Sequence, residues 1–331
     1  MIRLLVQKIT FAGCALSIAV LLLMGCAGKN AQSNEHAGSS ANIPLLPHTI
    51  EHDGNQRQYL LRLPSGELPA KPIPLVLVLH GGGGRPDNFD YLMTNHTLSK
   101  ADDSRSMMLV FPTGINKQWN DGRSEIFKGK PSYDDVGFID AVISDVVSQY
   151  PIDESRIYAT GISNGGHMSF RLGMELATTI AAIAPVTAQV SKSISKQIPA
   201  KTLGVMLVNG TEDPLVPYDG GLIKLSKIGR SRGEVLSSEQ SAVLFSQHNG
   251  CNESAATITL PDSNRSDGTL VRVHSYDNCN DQVTVKLVEV VGGGHTWPGG
   301  RQYLGKRRIG RVSKDINASE LILDFFLSQT R

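Results

Sequence analysis

The stretch IYATGISNGGHMSF, Ile157 to Phe170, sets Ser163 between Gly161 and Gly165. Gly-x-Ser-x-Gly carries little by itself, since glycine fills 33 of the 331 positions. It gains meaning when a strand runs into it and a helix leaves it, because that sharp turn holds the serine hydroxyl clear of a sheet end. Both flanks are expected here. RIYAT, from Arg156 to Thr160, reads as a strand, and HMSFRLGMEL, from His167 to Leu176, reads as a helix. Small residues around Ser163 avoid clashes at the strained angles of such a turn. The helix behind it would point amide dipoles toward an attacking oxygen.

Working outward, IPLVLVLH (Ile73–His80) is a continuous apolar run, the pattern of a strand covered on both faces. YLLRLP, MMLVFP, IAAIAPV, LGVMLVNG and QVTVKLVEVV add further strands, beginning at Tyr59, Met107, Ile180, Leu203 and Gln282. Helices are expected over Tyr91–Asp103, after Asp135 as N-cap to about Tyr150, and from an Asn317-x-x-Glu320 start to the C-terminus. Alternating strands and helices imply one mostly parallel sheet flanked by helices. No internal repeat or linker marks a second domain in the body.

A serine hydroxyl needs a base, and the base needs an orienting acid. In strand-turn-helix sites of this kind the order along the chain is serine, acid, histidine. Asp213 follows the LGVMLVNG strand and His295 follows the last strand, both where carboxyl-edge loops converge. Glu212 is the alternative acid. His167 is expected to pack or face solvent, His274 to sit on a half-exposed strand, and His80 to support the Gly81–Gly84 loop. The oxyanion donors are expected to be the amides of Gly82, in that loop, and Asn164, after the serine.

The net charge of +1 gives no basic field for nucleic acid, and no metal or organic cofactor is required by this chemistry. Residues 1–25 read as an export signal, with basic Arg3 and Lys8 before an apolar run. Leu23-Met24-Gly25-Cys26 resembles a bacterial lipoprotein box, which would acylate Cys26 and anchor the chain to a membrane. Ala27 then fits outer-membrane sorting in a two-membrane cell. Residues 26–45 are small and polar and read as a disordered tether, leaving 46–331 as the catalytic body. In an exported chain the remaining two of four cysteines, Cys251 and Cys279, are expected to pair.

LVLVLHGGGG, FPTG…WNDGR, DDVGFIDAVI, RIYATGISNGGHMSFRL, VNGTEDPLVPY and GGGHTWPG together resemble the secreted polyhydroxybutyrate depolymerase and feruloyl esterase group of the α/β-hydrolase fold. The resemblance spans nearly the whole body. It implies Ser163, Asp213 and His295 as a triad, Gly82 and Asn164 as oxyanion donors, and Trp119 and Trp297 near the cleft, the rival reading of the tryptophans being core filling. It implies a serine esterase. Feruloyl or acetyl esters of plant polysaccharide are the expected substrates, because no polymer-binding module accompanies the body. Polyhydroxyalkanoate or a related polyester is the alternative, with a peptidase or a non-catalytic binding protein as rivals. Ala188–Thr202 is too short for a large lid, which suits a bulky or polymeric ester. The Gly122–Asp134 and Gly220–Gly233 loops are expected to shape specificity.

Overall fold

The structure, a computed structural model, describes residues 44–127, 132–224 and 229–331. The export signal, Cys26 and the tether up to residue 43 lie outside the described residues. In chain order the strands are β1 (Leu46–His52), β2 (Asn55–Arg62), β3 (Ile73–Leu79), β4 (Met108–Pro112), β5 (Ile152–Ile162), β6 (Ala182–Val186), β7 (Gly204–Gly210), β8 (Gly221–Lys224), β9 (Ser231–Val235), β10 (Ala256–Thr259), β11 (Leu270–Tyr276) and β12 (Val285–Val291). The helices are α1 (Thr97–Asp103), α2 (Asp135–Gln149), α3 (Asn164–Glu175), α4 (Ser238–His248), α5 (Lys306–Ile309) and α6 (Ala318–Leu327).

Ten strands form one sheet in the order β1-β2-β4-β3-β5-β6-β7-β12-β11-β10. From β4 to β12 every pairing is parallel, and two antiparallel strands extend each edge. The central runs are apolar throughout because both faces are covered. Along β3, Leu75, Leu77 and Leu79 join a core with Phe138, Ile139 and Val142 of α2 and Phe170 of α3. Val76 and Val78 point the other way, into a second core with Leu98 of α1 and Ile322 and Phe326 of α6. Each such side chain contributes roughly 1.5–3 kcal/mol by leaving water.

Two local expectations are corrected. Asp135 is not the cap of α2: Asp134 Oδ1 accepts the Gly137 N–H at 2.9 Å, and Asp135 sits one residue inside, buried against Arg57 at 2.6 Å. Two adjacent aspartates thus divide capping from charge pairing. The helix expected over Tyr91–Asp103 is broken, because Asn95 and His96 both take left-handed φ, 54° and 62°. The β1–β2 hairpin lacks a continuous apolar run, and it turns at Asp53-Gly54, a pair suited to positive φ. Asn317 does cap α6, accepting from the Ser319 and Glu320 amides.

Cys251 and Cys279 are bonded, tying the end of α4 to the turn after β11 across 28 residues. Closing a loop of that length stabilises by about 3–4 kcal/mol in the chain-entropy account.

Candidate active site

Parallel strands deliver their loops to one edge, and there the chain brings its candidate residues together. Ser163 leaves β5 with φ 57° and ψ −120°, strained for a residue with a Cβ. Its N–H donates to Val186 O at 2.9 Å, which holds the elbow against β6. The glycines around it are required by space. A Cβ on Gly161 would sit 2.6 Å from Leu79 O, one on Gly165 would overlap the same carbonyl, and one on Gly166 would meet the Ala188 Cβ at 2.7 Å.

Asp213 follows β7. Its Oδ1 accepts the Leu215 and Val216 amides at 2.8 and 2.9 Å, and its Oδ2 accepts from His295 Nδ1 at 2.7 Å. A carboxylate on Nδ1 puts the ring proton there and leaves Nε2 as the proton acceptor. His295 follows β12, its carbonyl accepting from Tyr303 OH at 3.0 Å and its amide donating to Ile309 O at 2.6 Å. The two side chains are 4% and 2% exposed, so their hydrogen bond is shielded from water. Ser163 and His295 line one cavity of about 370 Å³. Glu212 turns outward to Arg311 at 2.8 Å, away from His295.

Gly82 and Asn164 line the same cavity. In the glycine loop the Gly83 amide is spent on Lys117 O and the Gly84 amide on Gly81 O, at 2.8 and 2.9 Å. Among the described residues the Gly82 amide has no acceptor. The Asn164 amide opens α3, where helix geometry leaves it without an intrahelical partner. His80 braces the loop as expected: Nδ1 donates to Gly81 O at 2.9 Å and Nε2 accepts the Gly114 N–H at 3.0 Å. Burial holds this imidazole below its ordinary pKa, so it stays neutral. No three His, Cys, Asp or Glu side chains converge to hold a metal ion among the described residues.

No family model matches the chain. Relatives do. Feruloyl esterase C of Emericella nidulans is 32% identical over 194 residues, covering 56% of this chain and 67% of that one. The chain belongs to the feruloyl esterase family. Feruloyl esterase B of Piromyces equi is 29% identical over 247 residues, 72% of this chain, and the chain spans only 42% of that protein's length. In fold, the acetyl xylan esterase of Aspergillus awamori superposes with a TM-score of 0.53 at 13% identity, over 85% of this chain and 99% of that one. Like other members of its family, the chain is a carboxylic ester hydrolase with the α/β-hydrolase fold.

The esterase places both tryptophans differently from the expectation. Trp119 and Trp297 are fully buried and neither lines the cavity. Trp297 fills the core, its Nε1 donating to Ser319 Oγ at 3.1 Å and its ring edge-on to Phe89. Trp119 lies beneath the glycine loop, its Nε1 donating to His80 O at 2.9 Å. The apolar part of the cavity wall is formed instead by groups such as Phe89, Leu92, Leu215 and Val216.

A buried polar cluster behind the cavity wall is signalled in the sequence only by the WNDGR motif. Asn164 Nδ2 donates to Asp121 Oδ2 at 2.7 Å, and Arg123 Nε donates to Asp121 Oδ1 at 3.0 Å. Burial raises the Asp121 carboxyl, but the Arg123 guanidinium reverses this and holds it below the usual range. His167, four residues after the serine, is buried at the cavity wall with Nδ1 donating to Gln189 O at 2.8 Å. Burial and nearby Arg123 push its pKa down to about 3, so it is a poor proton acceptor.

Proposed function

We propose that this hydrolase works through Ser163, His295 and Asp213 on feruloyl or acetyl esters of plant polysaccharide. The carrying observation is the buried 2.7 Å hydrogen bond from His295 Nδ1 to Asp213, set beside a strained elbow serine in one cavity. Ser163 Oγ attacks the ester carbonyl as His295 Nε2 takes its proton. The Gly82 and Asn164 amides donate to the oxyanion of the tetrahedral intermediate. His295 returns the proton to the departing alcohol, leaving an acyl-serine. Water, deprotonated by the same imidazole, then releases the acid. Asp213 holds the ring and stabilises the imidazolium without itself being protonated.

The acyl preference rests on relatives named feruloyl esterase and on a cleft with no helical lid over it. Residues 187–203, between β6 and β7, form no helix that could close as a lid. Acylation of Cys26, which would hold the enzyme at the cell envelope, is part of the same proposal and rests on the lipoprotein-box resemblance. Release of ferulate or acetate from xylan-derived oligomers is expected, with Ser163→Ala inactive and unlabelled by a fluorophosphonate probe. Hydroxybutyrate release from polymer films instead would replace the acyl assignment with the polyester reading. Cleavage of amides in preference to esters would overturn both.

A further inference from the structure

The cavity wall is lopsided in charge. Arg85, Arg123 and Arg232 line it, and among the described residues no aspartate or glutamate does. Arg85 is matched by Asp87 at 3.0 Å and Arg123 by buried Asp121. Among the described residues Arg232 has no ion-pair partner, although it is half-buried. The nearest acid in sequence, Glu234, is taken by Lys192 at 2.5 Å. Residues 128–131 and 225–228, the stretches inside the body that lie outside the described residues, contain no Asp or Glu.

Arg232 is also held in place. It lies on β9 of the small β8–β9 hairpin, whose Ile223 reaches the same cavity. Arg123 Nη1 donates to Arg232 O at 3.2 Å. Gly233, at φ 103°, lets the strand sit directly on the Arg123 side chain, where a Cβ would come within 2.8 Å of Cδ. The segment Gly220–Gly233 carries Lys224, Lys227, Arg230 and Arg232 and no acid at all. A half-buried arginine on a braced strand, at a cavity whose described lining holds no carboxylate, is matched by an anionic ligand: a planar carboxylate is the group a guanidinium pairs with in two parallel hydrogen bonds.

We propose that the cleft selects ester substrates that carry a carboxylate, such as esters on uronic-acid-bearing saccharides, and that Arg232 is the specificity residue that pairs with it. The inference rests on the esterase reading of the same site and deepens it. Arg232 stands outside the reacting atoms, so it acts on substrate affinity and leaves the chemical step alone.

The test compares matched esters differing only in charge. One pair places the charge on the alcohol: acetylated glucuronoxylan oligosaccharide and its carboxyl-reduced counterpart. The other places it on the acyl group: p-nitrophenyl hemisuccinate and p-nitrophenyl butyrate. The expected result is a kcat/KM roughly tenfold or more in favour of the anionic member of at least one pair, carried by KM. That preference weakens with added salt. Arg232→Gln should remove it by raising KM for the anionic member toward that of its neutral partner, and Arg232→Lys should restore part of it. No anionic preference in either pair, or one that survives Arg232→Gln, overturns the proposal. Binding of the two oligosaccharides to Ser163→Ala needs no turnover. A charge preference there, lost in the Ser163→Ala/Arg232→Gln double variant, upholds the inference even if hydrolysis of the chosen esters fails.

Discussion

Asn164 Nδ2 donates to Asp121 Oδ2 at 2.7 Å, fastening the residue after the elbow serine to the loop after β4. The same asparagine accepts the Trp119 N–H at 2.8 Å and donates to Trp119 O at 3.0 Å. The start of α3 is therefore pinned by side-chain bonds to a neighbouring loop, and with it the amide proposed to bind the oxyanion. Arg123 completes the arrangement by neutralising Asp121 in a buried pair.

Asp121→Ala leaves Arg123 buried without its partner, a change that costs about 3–5 kcal/mol in comparable sites. Urea unfolding should show that loss. Asn164→Ala is expected to keep most of the stability and lower kcat more than it raises KM, because the amide is displaced rather than removed. An Asp121→Ala protein as stable as wild type would show that the pair is solvated and the pinning unimportant.

Ser163 holds φ 57° with a Cβ attached, a conformation that glycine adopts freely. Ser163→Gly should abolish ester turnover and stabilise the fold by about 1 kcal/mol, read as a raised Tm. Ser163→Ala should be equally inactive without that gain, since it keeps the Cβ. Equal Tm values for the two variants would mean that the elbow stores no strain.

Asp213 accepts two backbone amides on one oxygen and His295 on the other, whereas Glu212 faces solvent beside Arg311. Asp213→Asn keeps the shape and presents an NH₂ group to His295 Nδ1, favouring the wrong tautomer. A fall in kcat on the order of ten-thousandfold is expected. Glu212→Gln should stay within about twofold of wild type. The reverse ranking of the two variants would move the acid role to Glu212.

The parts legible in the sequence are those in which burial leaves a local pattern. Leu75–Leu79 and Val205–Val208 are apolar at every position because helices cover both faces, and a parallel sheet sends the loops holding Ser163, Asp213 and His295 to one edge. The β8–β9 hairpin, with Leu222 and Lys224 exposed, leaves no such pattern. Helix α4 did carry a readable sign, the Ser237–Gln240 capping box, but its apolar face is weak. The tryptophans show a different limit. Trp119 and Trp297 sit inside motifs that build the site, yet each ring turns toward the core, because orientation depends on partners far along the chain such as Ser319 and His80. His167 is similar: its imidazole is fixed by Gln189, on another loop.

That buried imidazole makes stability depend on acidity. His167 is held neutral in the fold, with a pKa of about 3, while an unfolded chain returns it to about 6.5. Below pH 6.5 the unfolded state binds a proton that the native state refuses, so acid favours unfolding. The native protein should lose about 1.4 kcal/mol per pH unit from this group as pH falls through that window, until the folded value is reached. His167→Gln keeps a donor for Gln189 O and removes the titration. Urea midpoints measured from pH 7 to pH 4 should therefore fall less steeply for the variant than for wild type, with the two proteins closest at the acid end if the substitution itself is destabilising. Parallel pH profiles would show that His167 charges within the native fold, which its burial at 1% exposure beside Arg123 opposes.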